Sequence, residues 1–316
     1  MLRRVDSKDI LLSLNLIDEK DKNKYLKTIY LISNSVDKQY SSLKIKKRNG
    51  QYRTVYAPNG TLKHIQRVIL DNILSDRKLS PYAKAYVKNT NLIDNALPHV
   101  AKNIILKMDI SNFFESIDFW DVYNTCFPSS LFPFEVGYIL TKLCTLDDML
   151  IQGAPTSAYI SNLYLRSFDY EIGKYCEDNN ISYTRYSDDL TFSGNFDTKE
   201  VIFLVRDKLM KLGLRVNNKK TKVIKQYYQQ NVTGLVVNSK VNISKSYKKK
   251  IRQEVYYINR YGLKSHLEFN NIKDKETYLN SLYGRILFVL QVRKDDTEFK
   301  YYKSIIGNLK KTNDYI

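Results

Sequence analysis

The period of hydrophobic and polar positions changes several times along the first part of the chain. Residues 1–40 place apolar side chains three and four positions apart, which predicts amphipathic helix. Residues 43–57 form two strand-like arms around Asn49-Gly50, the pattern of a basic hairpin. The segment TLKHIQRVILDNIL then returns to helical spacing.

From residue 103 onward, strand and helix patterns alternate. NIILKMDI alternates apolar and polar positions as a strand does, and residues 120–146 are mostly helical. The segments that follow predict a long helix, a hairpin, a helix, a strand and a second hairpin: GAPTSAYISNLYLRSFDYEIGKYC, SYTRYSDDLTFS, KEVIFLVRDKLMKLG, LRVNNKKTKVI and NVTGLVVNSKVNI. This order predicts an α+β fold with helices on one face of a sheet, followed by a helical segment beyond residue 240.

Charge indicates the class of partner. The 316 residues include 51 Lys and Arg against 33 Asp and Glu, a net of +18, and an excess of this size favours a polyanionic partner. From Lys240 to the end there are 17 basic and 8 acidic residues, a local net of +9. The 26 Tyr and 13 Phe indicate a globular chain rather than a disordered one. Together with the basic charge, this leads us to expect a folded protein that binds nucleic acid.

Cysteine and histidine usage points away from disulfides and zinc. The three Cys form no CxxC pair and the three His are far apart, at Cys126, Cys144, Cys176, His64, His99 and His266. The first residues lack the pattern of a signal peptide, and no apolar stretch approaches the roughly 20 residues of a membrane helix. We therefore expect a reduced cytoplasmic protein with no membrane partner.

Three aspartates carry the candidate chemistry. Asp109 ends the strand NIILKMDI, and Asp188 and Asp189 are adjacent within a strand signal, where like charges repel. A plain Asp-rich turn is one explanation of the pair. If the chain turns at residues 187–189, however, all three carboxylates could converge and would need a compensating cation. Mg²⁺ prefers such oxygens, and two ions would support nucleotidyl transfer.

Four segments in a fixed order resemble the motifs of reverse transcriptases. RYSDDL resembles the Y-x-D-D box, KMDISNFF the motif with the first catalytic Asp, QGAPTSAYISNL the Q-G-x-x-x-S/P motif, and LRVNNKKTKV the later lysine motif. The resemblance spans about residues 45–240. It implies a right-hand polymerase fold with fingers at 1–100, including N-terminal helices, a catalytic palm at 101–238, and a helical, basic thumb at 239–316.

Two further blocks resemble those of the bacterial retron reverse transcriptases. NALPHV (95–100) resembles their N-A-x-x-H block, and VTGLVV (232–237) resembles their V-T-G block. The box is Y-S-D-D here, whereas Y-A-D-D is the commoner form, and the last 75 residues match only in general character. The resemblance implies an RNA-directed DNA polymerase.

The resemblance also assigns roles around the metal ions. It implies that Asp109, Asp188 and Asp189 bind two Mg²⁺ ions, with Asp109 and Asp188 as the firmer ligands. Phe114 matches the aromatic residue that excludes a 2′-OH and so favours dNTP. The alternative is that Phe113 and Phe114 are both core residues.

Further residues are expected at the dNTP. Gln152 and Gly153 precede a helix whose N-terminus would favour phosphate, although an ordinary helix entry explains them too. Lys220 matches the motif lysine, with Lys219 adjacent. Arg53 in the basic hairpin is a candidate for the phosphates, and Lys47 or Arg48 could replace it. A solvated run of charges is the alternative explanation for Arg53, Lys47 and Arg48.

The resemblance implies a structural or RNA-facing part for Asn95 and His99, which belong to one retron block. It implies a place near the primer end or the RNA for Thr233 and Gly234, which belong to the other. A core histidine is the alternative for His99. In the thumb, basic residues mixed with tyrosines suit phosphate contact and stacking, or else form a solvated helix face: Lys248, Lys249, Lys250 and Arg252.

The expected partners and product follow from the same resemblance. It implies a cognate structured noncoding RNA of the msr–msd type, dNTPs, and DNA synthesis from the 2′-OH of a guanosine, giving branched RNA–DNA (msDNA). It also implies anti-phage defence with an effector protein encoded nearby. The alternatives are a non-catalytic RNA-binding scaffold or antitoxin on the same fold, a group II intron-type reverse transcriptase, and an RNA-dependent RNA polymerase.

Overall fold

The computed structural model describes residues 6–46, 50 and 52–311, with only the backbone of Arg53. This part of the chain forms two compact units. The first combines the residues up to Asn91 with Ile104–Val223, and the second combines Leu92–Asn103 with the chain from Ile224 onward. The expected fingers, palm and thumb divide the chain differently, at residues 100 and 238, and that division stays a prediction.

Two separate helices open the first unit, where a single amphipathic region was expected. α1 spans Ser7–Ser13 and α2 spans Lys22–Asn34. Each is preceded by an aspartate, Asp6 or Asp21, whose side chain accepts a backbone N–H of the first turn. Such caps start new helices, and the second cap therefore divides the region in two.

The basic hairpin is present as predicted. β1 (Tyr40–Lys46) and β2 (Tyr52–Pro58) pair antiparallel, with Leu43 opposite Val55. The expected tip residues Lys47, Arg48 and Asn49 lie outside the described residues, as does the side chain of Arg53. After the hairpin, α3 (Gly60–Ile69) confirms the helix expected from TLKHIQRVILDNIL.

The middle of the chain confirms the α+β prediction. Its elements are, in order, α4 (Leu92–Ala96), β3 (Ile104–Asp109), α5 (Phe119–Cys126), α6 (Phe134–Cys144), α7 (Ser157–Tyr164), α8 (Arg166–Asp178), β4 (Ser182–Tyr186), β5 (Asp189–Gly194), α9 (Thr198–Lys211) and β6 (Lys222–Lys225). The sheet has the strand order β4-β5-β3-β6, and β5 pairs antiparallel with both β3 and β4. The central strands are mostly buried, so the end of β3 is a rigid position.

Two predicted elements differ from the structure. The segment 153–176 is two helices, because the chain leaves helical geometry at Leu165 (ψ 3°), and the first of them has Thr156 as its N-cap. In the segment 214–224 only the end belongs to β6. The reason is a turn in which the N–H groups of Lys220 and Thr221 donate to the carbonyl of Asn217 at 3.1 Å.

The second unit combines α4 with a small sheet and four later helices. Its later elements are β7 (Asn231–Val232), β8 (Leu235–Val236), β9 (Asn242–Ile243), α10 (Lys245–Tyr261), α11 (Leu263–Phe269), α12 (Lys275–Val292) and α13 (Thr297–Lys311). The three strands are antiparallel in the order β7-β8-β9. This confirms the hairpin predicted from NVTGLVVNSKVNI, and β9 extends it by a third strand. The helical character expected beyond residue 240 is confirmed. None of the helices in the described ranges is long and apolar enough to cross a membrane.

Candidate active site

Two strands bring aspartates to one edge of the sheet. Asp109 is the last residue of β3, and its Cα partner across the antiparallel pair is Asp189, the first residue of β5. Side chains of residues directly opposite one another lie on the same face, with Cβ atoms about 4.5–5.5 Å apart. Asp109 is buried, with 4% of its surface exposed. The pairing therefore holds two carboxylates together at a cost in repulsion.

Asp188 reaches the same edge through a tight turn. Tyr186 and Asp189 are paired, which leaves Ser187 and Asp188 as a two-residue hairpin loop. Ser187 has a φ of 61°, and a positive φ in this position gives the turn a twist that matches the strands. The carbonyl of Asp188 accepts the N–H of Ile110 at 3.0 Å, immediately beyond β3. The adjacent aspartates thus belong to a turn that is bonded to the strand carrying Asp109.

The carboxylates are electrostatically strained. Burial and, to a smaller degree, the charges of Asp189 and Asp109 raise the pKa of Asp188 to about 6, against the opposing effect of Lys220. Burial also raises the pKa of Asp189. The Lys220 ammonium lies 2.7 Å from Asp109 Oδ2, and this hydrogen bond raises the pKa of Lys220. Lys107 also lowers the pKa of Asp189, so two lysines face three carboxylates.

The donor set fits a hard divalent cation in its chemistry. Carboxylate oxygens are the ligands that Mg²⁺ prefers, and the charges of neighbouring carboxylates contribute, after burial, to the raised pKa values of Asp188 and Asp189. In the side-chain positions of the described residues, however, no three His, Cys, Asp or Glu side chains form a group that could hold a metal ion. Oδ2 of Asp109 is bonded to Lys220, whose side chain is 60% exposed. Binding of a cation would therefore require Lys220 to move.

Phe114 and Phe113 follow β3 and are both buried. Phe114 is 8% exposed and Phe113 is 3% exposed, and their ring centroids are 5.4 Å apart. Both belong to the hydrophobic core of the first unit. The structure is thus compatible with the alternative that both are core residues, and Phe114 is the more accessible of the two. Its expected role at the sugar stays a prediction.

Gln152 and Gly153 contact the basic hairpin. The carbonyl of Gln152 accepts the N–H of Tyr56 in β2 at 3.1 Å. Gly153 has a φ of +121°, and a Cβ at this position would be 1.9 Å from the carbonyl oxygen of Tyr56. Only glycine allows so close an approach of the two backbones. This contact brings the segment before α7 against β2, the strand that also carries Arg53.

The two blocks shared with retron enzymes meet in the second unit. Asn95, fully buried in α4, donates from Nδ2 to Thr233 Oγ1 at 3.3 Å. Thr233 and Gly234 form the two-residue loop between β7 and β8, with φ values of 44° and 87°. Both are positive, as in a type I′ turn, although a β-branched residue rarely adopts such a φ. The two residues are 138 positions apart, and the sequence alone did not predict that they are in contact.

His99 lies next to this contact in the sequence and is fully buried. Burial lowers the pKa of His99 to about 3, and the charge of Lys102 adds to the effect. His99 is therefore neutral at physiological pH, as a core histidine would be. Its surroundings favour a structural part in the block over a direct phosphate contact.

The four basic residues expected to bind RNA fall into two classes. Lys248 donates to Asp296 at 2.8 Å and Arg252 donates twice to Glu298, at 2.6 Å for each bond. Their charges are therefore balanced by acidic groups near α13. Lys249 and Lys250 are exposed on α10, and Lys250 also lines a groove of about 530 Å³ between α10 and α11. The aromatic residues of this groove are Tyr257, Tyr261 and Phe269.

Sequence reasoning missed a buried charged cluster beside the Y-x-D-D box. Arg185 and Asp169 are both fully buried and form an ion pair of 2.6 Å. A signal was present in the sequence, because Asp169 occupies the apolar stripe of α8 with Leu165, Phe168 and Ile172. A charged residue in such a stripe needs a buried partner.

Comparisons with known proteins identify the family of this chain. The family described as Reverse transcriptase (RNA-dependent DNA polymerase) matches residues 45–239. Retron Ec86 reverse transcriptase of Escherichia coli is 34% identical over 240 residues, which cover 74% of this chain and 74% of that protein. Retron Ec83 reverse transcriptase of Escherichia coli is 30% identical over 298 residues, which cover 86% and 90% of the two chains.

Solved structures show only a weak likeness. Apo telomerase from Candida tropicalis, truncated from the C-terminal domain, matches with a TM-score of 0.45 and 14% sequence identity. The match covers 72% of this chain and 62% of that chain. A likeness of this size carries no argument about the site.

Proposed function

The chain belongs to the reverse transcriptase family as a retron-type RNA-directed DNA polymerase, and on this premise we propose that it copies a dedicated structured RNA into branched RNA–DNA. The observation that carries the proposal is the pairing of Asp109 with Asp189 at the turn that holds Asp188. Like charges directly opposite one another destabilise a sheet. Their presence at one edge would be explained if divalent cations bind there together with the substrate.

The reaction is attack of a primer hydroxyl on the α-phosphate of a dNTP, which forms a phosphodiester and releases pyrophosphate. Two Mg²⁺ ions, when bound, would activate the hydroxyl and stabilise the leaving group. Asp109 and Asp188 would hold them, with Asp189 acting through water or by supporting the turn. Lys220 is exposed enough to leave Asp109 and meet the triphosphate when the carboxylates are neutralised.

The dNTP would lie between this edge and the segment before α7. Gln152 and Gly153 support this placement because they abut β2, which carries Arg53. Phe114 would bound the sugar from its position five residues after Asp109. A hydroxyl at the 2′ position would then clash with its ring, which favours dNTP over NTP.

The RNA would contact the second unit. Exposed Lys249 and Lys250 supply phosphate contacts, and the groove with Tyr257, Tyr261 and Phe269 offers aromatic faces for stacking. Phe269 is 87% exposed and adds apolar surface to this groove. Thr233 and Gly234, held by Asn95, would present a second contact.

The remaining parts of the proposal follow from the retron relationship. The RNA would be of the msr–msd type and would serve as both template and primer. Synthesis would start from the 2′-OH of a guanosine and give msDNA. The complex would act in anti-phage defence with an effector protein encoded nearby.

A direct test is to express the gene with its native flanking DNA and extract the nucleic acid bound to the purified protein. We expect a short single-stranded DNA joined to RNA, whose length changes on RNase treatment. The variant Asp188→Asn, Asp189→Asn should retain RNA and lack DNA. The matched control is Asp147→Asn, Asp148→Asn, an exposed pair of adjacent aspartates in a loop, which should retain both.

The outcomes separate the candidate functions. RNA without DNA in the unaltered protein would overturn the polymerase proposal and favour an RNA-binding scaffold. Incorporation of NTP as readily as dNTP by the purified protein would contradict the role of Phe114. DNA without a branched linkage would retain the polymerase and reject priming from a 2′-OH.

A further inference from the structure

A fully buried charged cluster lies beneath the turn that carries Asp188. Arg185 of β4 donates from Nε to Asp169 Oδ1 at 2.8 Å and from Nη2 to Asp169 Oδ2 at 2.6 Å. Both side chains have no exposed surface. Moving two charges out of water costs several kcal/mol for each ion, and apolar residues often stabilise a core as well. Stability alone is therefore a weak explanation of this pair.

The third nitrogen of the guanidinium points to the turn. Nη1 of Arg185 donates to the carbonyl oxygen of Ser187 at 3.1 Å and to Asn162 Oδ1 at 2.9 Å. The carbonyl of Ser187 and the N–H of Asp188 belong to one planar peptide group. Arg185 thus fixes the peptide plane on the N-terminal side of Asp188.

The plane on the other side of Asp188 is fixed independently. Its carbonyl accepts the N–H of Ile110, the residue after Asp109. With both flanking peptides held, the direction of the Asp188 Cα–Cβ bond is set relative to the end of β3. A shift of the Ser187 peptide would turn the carboxylate of Asp188 away from Asp109.

The guanidinium is itself held from several directions. Tyr183 donates its hydroxyl to Asp169 Oδ1 at 2.8 Å, and Asn162 donates from Nδ2 to the carbonyl of Ala85 at 2.8 Å. The backbone of Arg185 is bonded to the segment 82–84 through its N–H and its carbonyl, at 2.8 Å each. These bonds leave the side chain little freedom, as a positioning function requires.

We propose that Arg185 is a positioning residue for the polymerase reaction, which orients Asp188 through the carbonyl of Ser187 while Asp169 and Asn162 aim its guanidinium. The proposal rests on the proposed function of Asp188 as a metal ligand. Groups that orient a metal ligand usually change metal affinity about 10–100-fold when they are altered. A displacement of about 1 Å at a reacting centre can cost about 100-fold in rate.

The test is Arg185→Lys, which keeps a positive charge beside Asp169 but cannot bond Asp169, Asn162 and Ser187 together. Calorimetric titration with Mn²⁺ in the absence of nucleotide is expected to show a dissociation constant about 10-fold or more higher. Primer extension should show kcat reduced about 10–100-fold, with KM for dNTP and RNA affinity unchanged. Amide exchange of Ile110 should become faster, because its acceptor has moved.

The matched control is Arg77→Lys in the same unit. Arg77 also donates to two backbone carbonyls, those of Thr125 and Cys126, away from the turn. It should lose stability without changing metal affinity. If Arg185→Lys does not fold, Asn162→Ala leaves the ion pair intact and is expected to raise the Mn²⁺ dissociation constant several-fold.

The outcomes separate the positioning role of Arg185 from the metal-binding role of Asp188. Mn²⁺ binding that is equal in the unaltered protein, Arg185→Lys and Asn162→Ala would overturn the positioning role. A fall in kcat that matches the fraction unfolded would do the same. Absence of Mn²⁺ binding in the unaltered protein would instead contradict the proposed function of Asp188.

Discussion

Replacing Gly153 with alanine tests the contact between the expected dNTP site and the basic hairpin. The new Cβ would be 1.9 Å from the carbonyl oxygen of Tyr56 and 3.0 Å from its carbonyl carbon. Backbone atoms cannot yield as a flexible side chain does, so β2 or the Gly153 segment must move. The φ of +121° adds strain for any residue with a Cβ.

The magnitude has two parts. A sparsely populated backbone conformation costs about 1–3 kcal/mol. Loss of the bond between the Tyr56 N–H and the Gln152 carbonyl costs about 0.5–1.5 kcal/mol more. A total of about 2–4 kcal/mol in a unit of this size corresponds to a fall in Tm of roughly 4–16 °C.

Gly213→Ala is the matched control for backbone strain in the same unit. Gly213 has a φ of +71° after α9, and a Cβ there would meet no atom within 4 Å. Its cost should be the left-handed strain alone, about 1–2 kcal/mol. Thermal unfolding followed by circular dichroism gives the comparison, and primer extension at varied dNTP concentration gives KM.

We expect Gly153→Ala to lower Tm by more than Gly213→Ala and to raise KM for dNTP. A fall in Tm no larger than that of the control would refute the steric reasoning. A larger fall in Tm with an unchanged KM would support the contact but place the nucleotide elsewhere.

Three further predictions concern charge and turn chemistry. The folded-state pKa of Asp188 is raised to about 6 from 3.8, so stability without divalent metal falls as the pH rises through about 4 to 6. Asp188→Asn should therefore raise Tm at pH 7.5 in EDTA and leave Tm unchanged at pH 4. Equal Tm values for the variant and the unaltered protein at pH 7.5 would contradict this. Lys249→Ala with Lys250→Ala should weaken RNA binding and make it less dependent on salt, which binding titrations at several salt concentrations will show. Lys248→Ala should mainly lower Tm, because Lys248 is paired with Asp296. Thr233→Asn creates an Asn-Gly turn, which suits the positive φ better than threonine, but it also removes the hydroxyl that accepts from buried Asn95, so Tm should change little. DNA yield on the cognate RNA should fall, and an unchanged yield would remove Thr233 from the RNA contacts.

Sequence patterns were informative where structure is local. The hairpin of SYTRYSDDLTFS, the strand that ends at Asp109 and the arms around residue 50 depend on alternation and turn residues within a few positions. The division of the first 40 residues was missed, although the second cap, Asp21, is visible in the sequence. Helical spacing continues across such a cap, and periodicity alone does not show where a helix ends.

Partnerships across long separations could not be obtained from the same patterns. Asn95 meets Thr233 across 138 residues, and Gly153 meets Tyr56 across α3, α4, β3, α5 and α6. A pattern specifies which face of an element is buried, but the element that covers it depends on the whole topology. For the same reason, Lys248 and Lys249 are alike in the sequence, while only Lys248 has an acidic partner at 2.8 Å.

The two charged clusters of the first unit complement one another. Arg185 and Asp169 form a closed pair with balanced charge and no exposed surface. Asp109, Asp188 and Asp189 face Lys220 and Lys107, so the carboxylates outnumber the ammonium groups, and a displacement of the turn would relieve the repulsion between them. The bond from Arg185 to the carbonyl of Ser187 opposes that displacement. The folded chain can therefore keep its carboxylates close before any cation arrives, so less reorganisation remains for the step in which a cation binds.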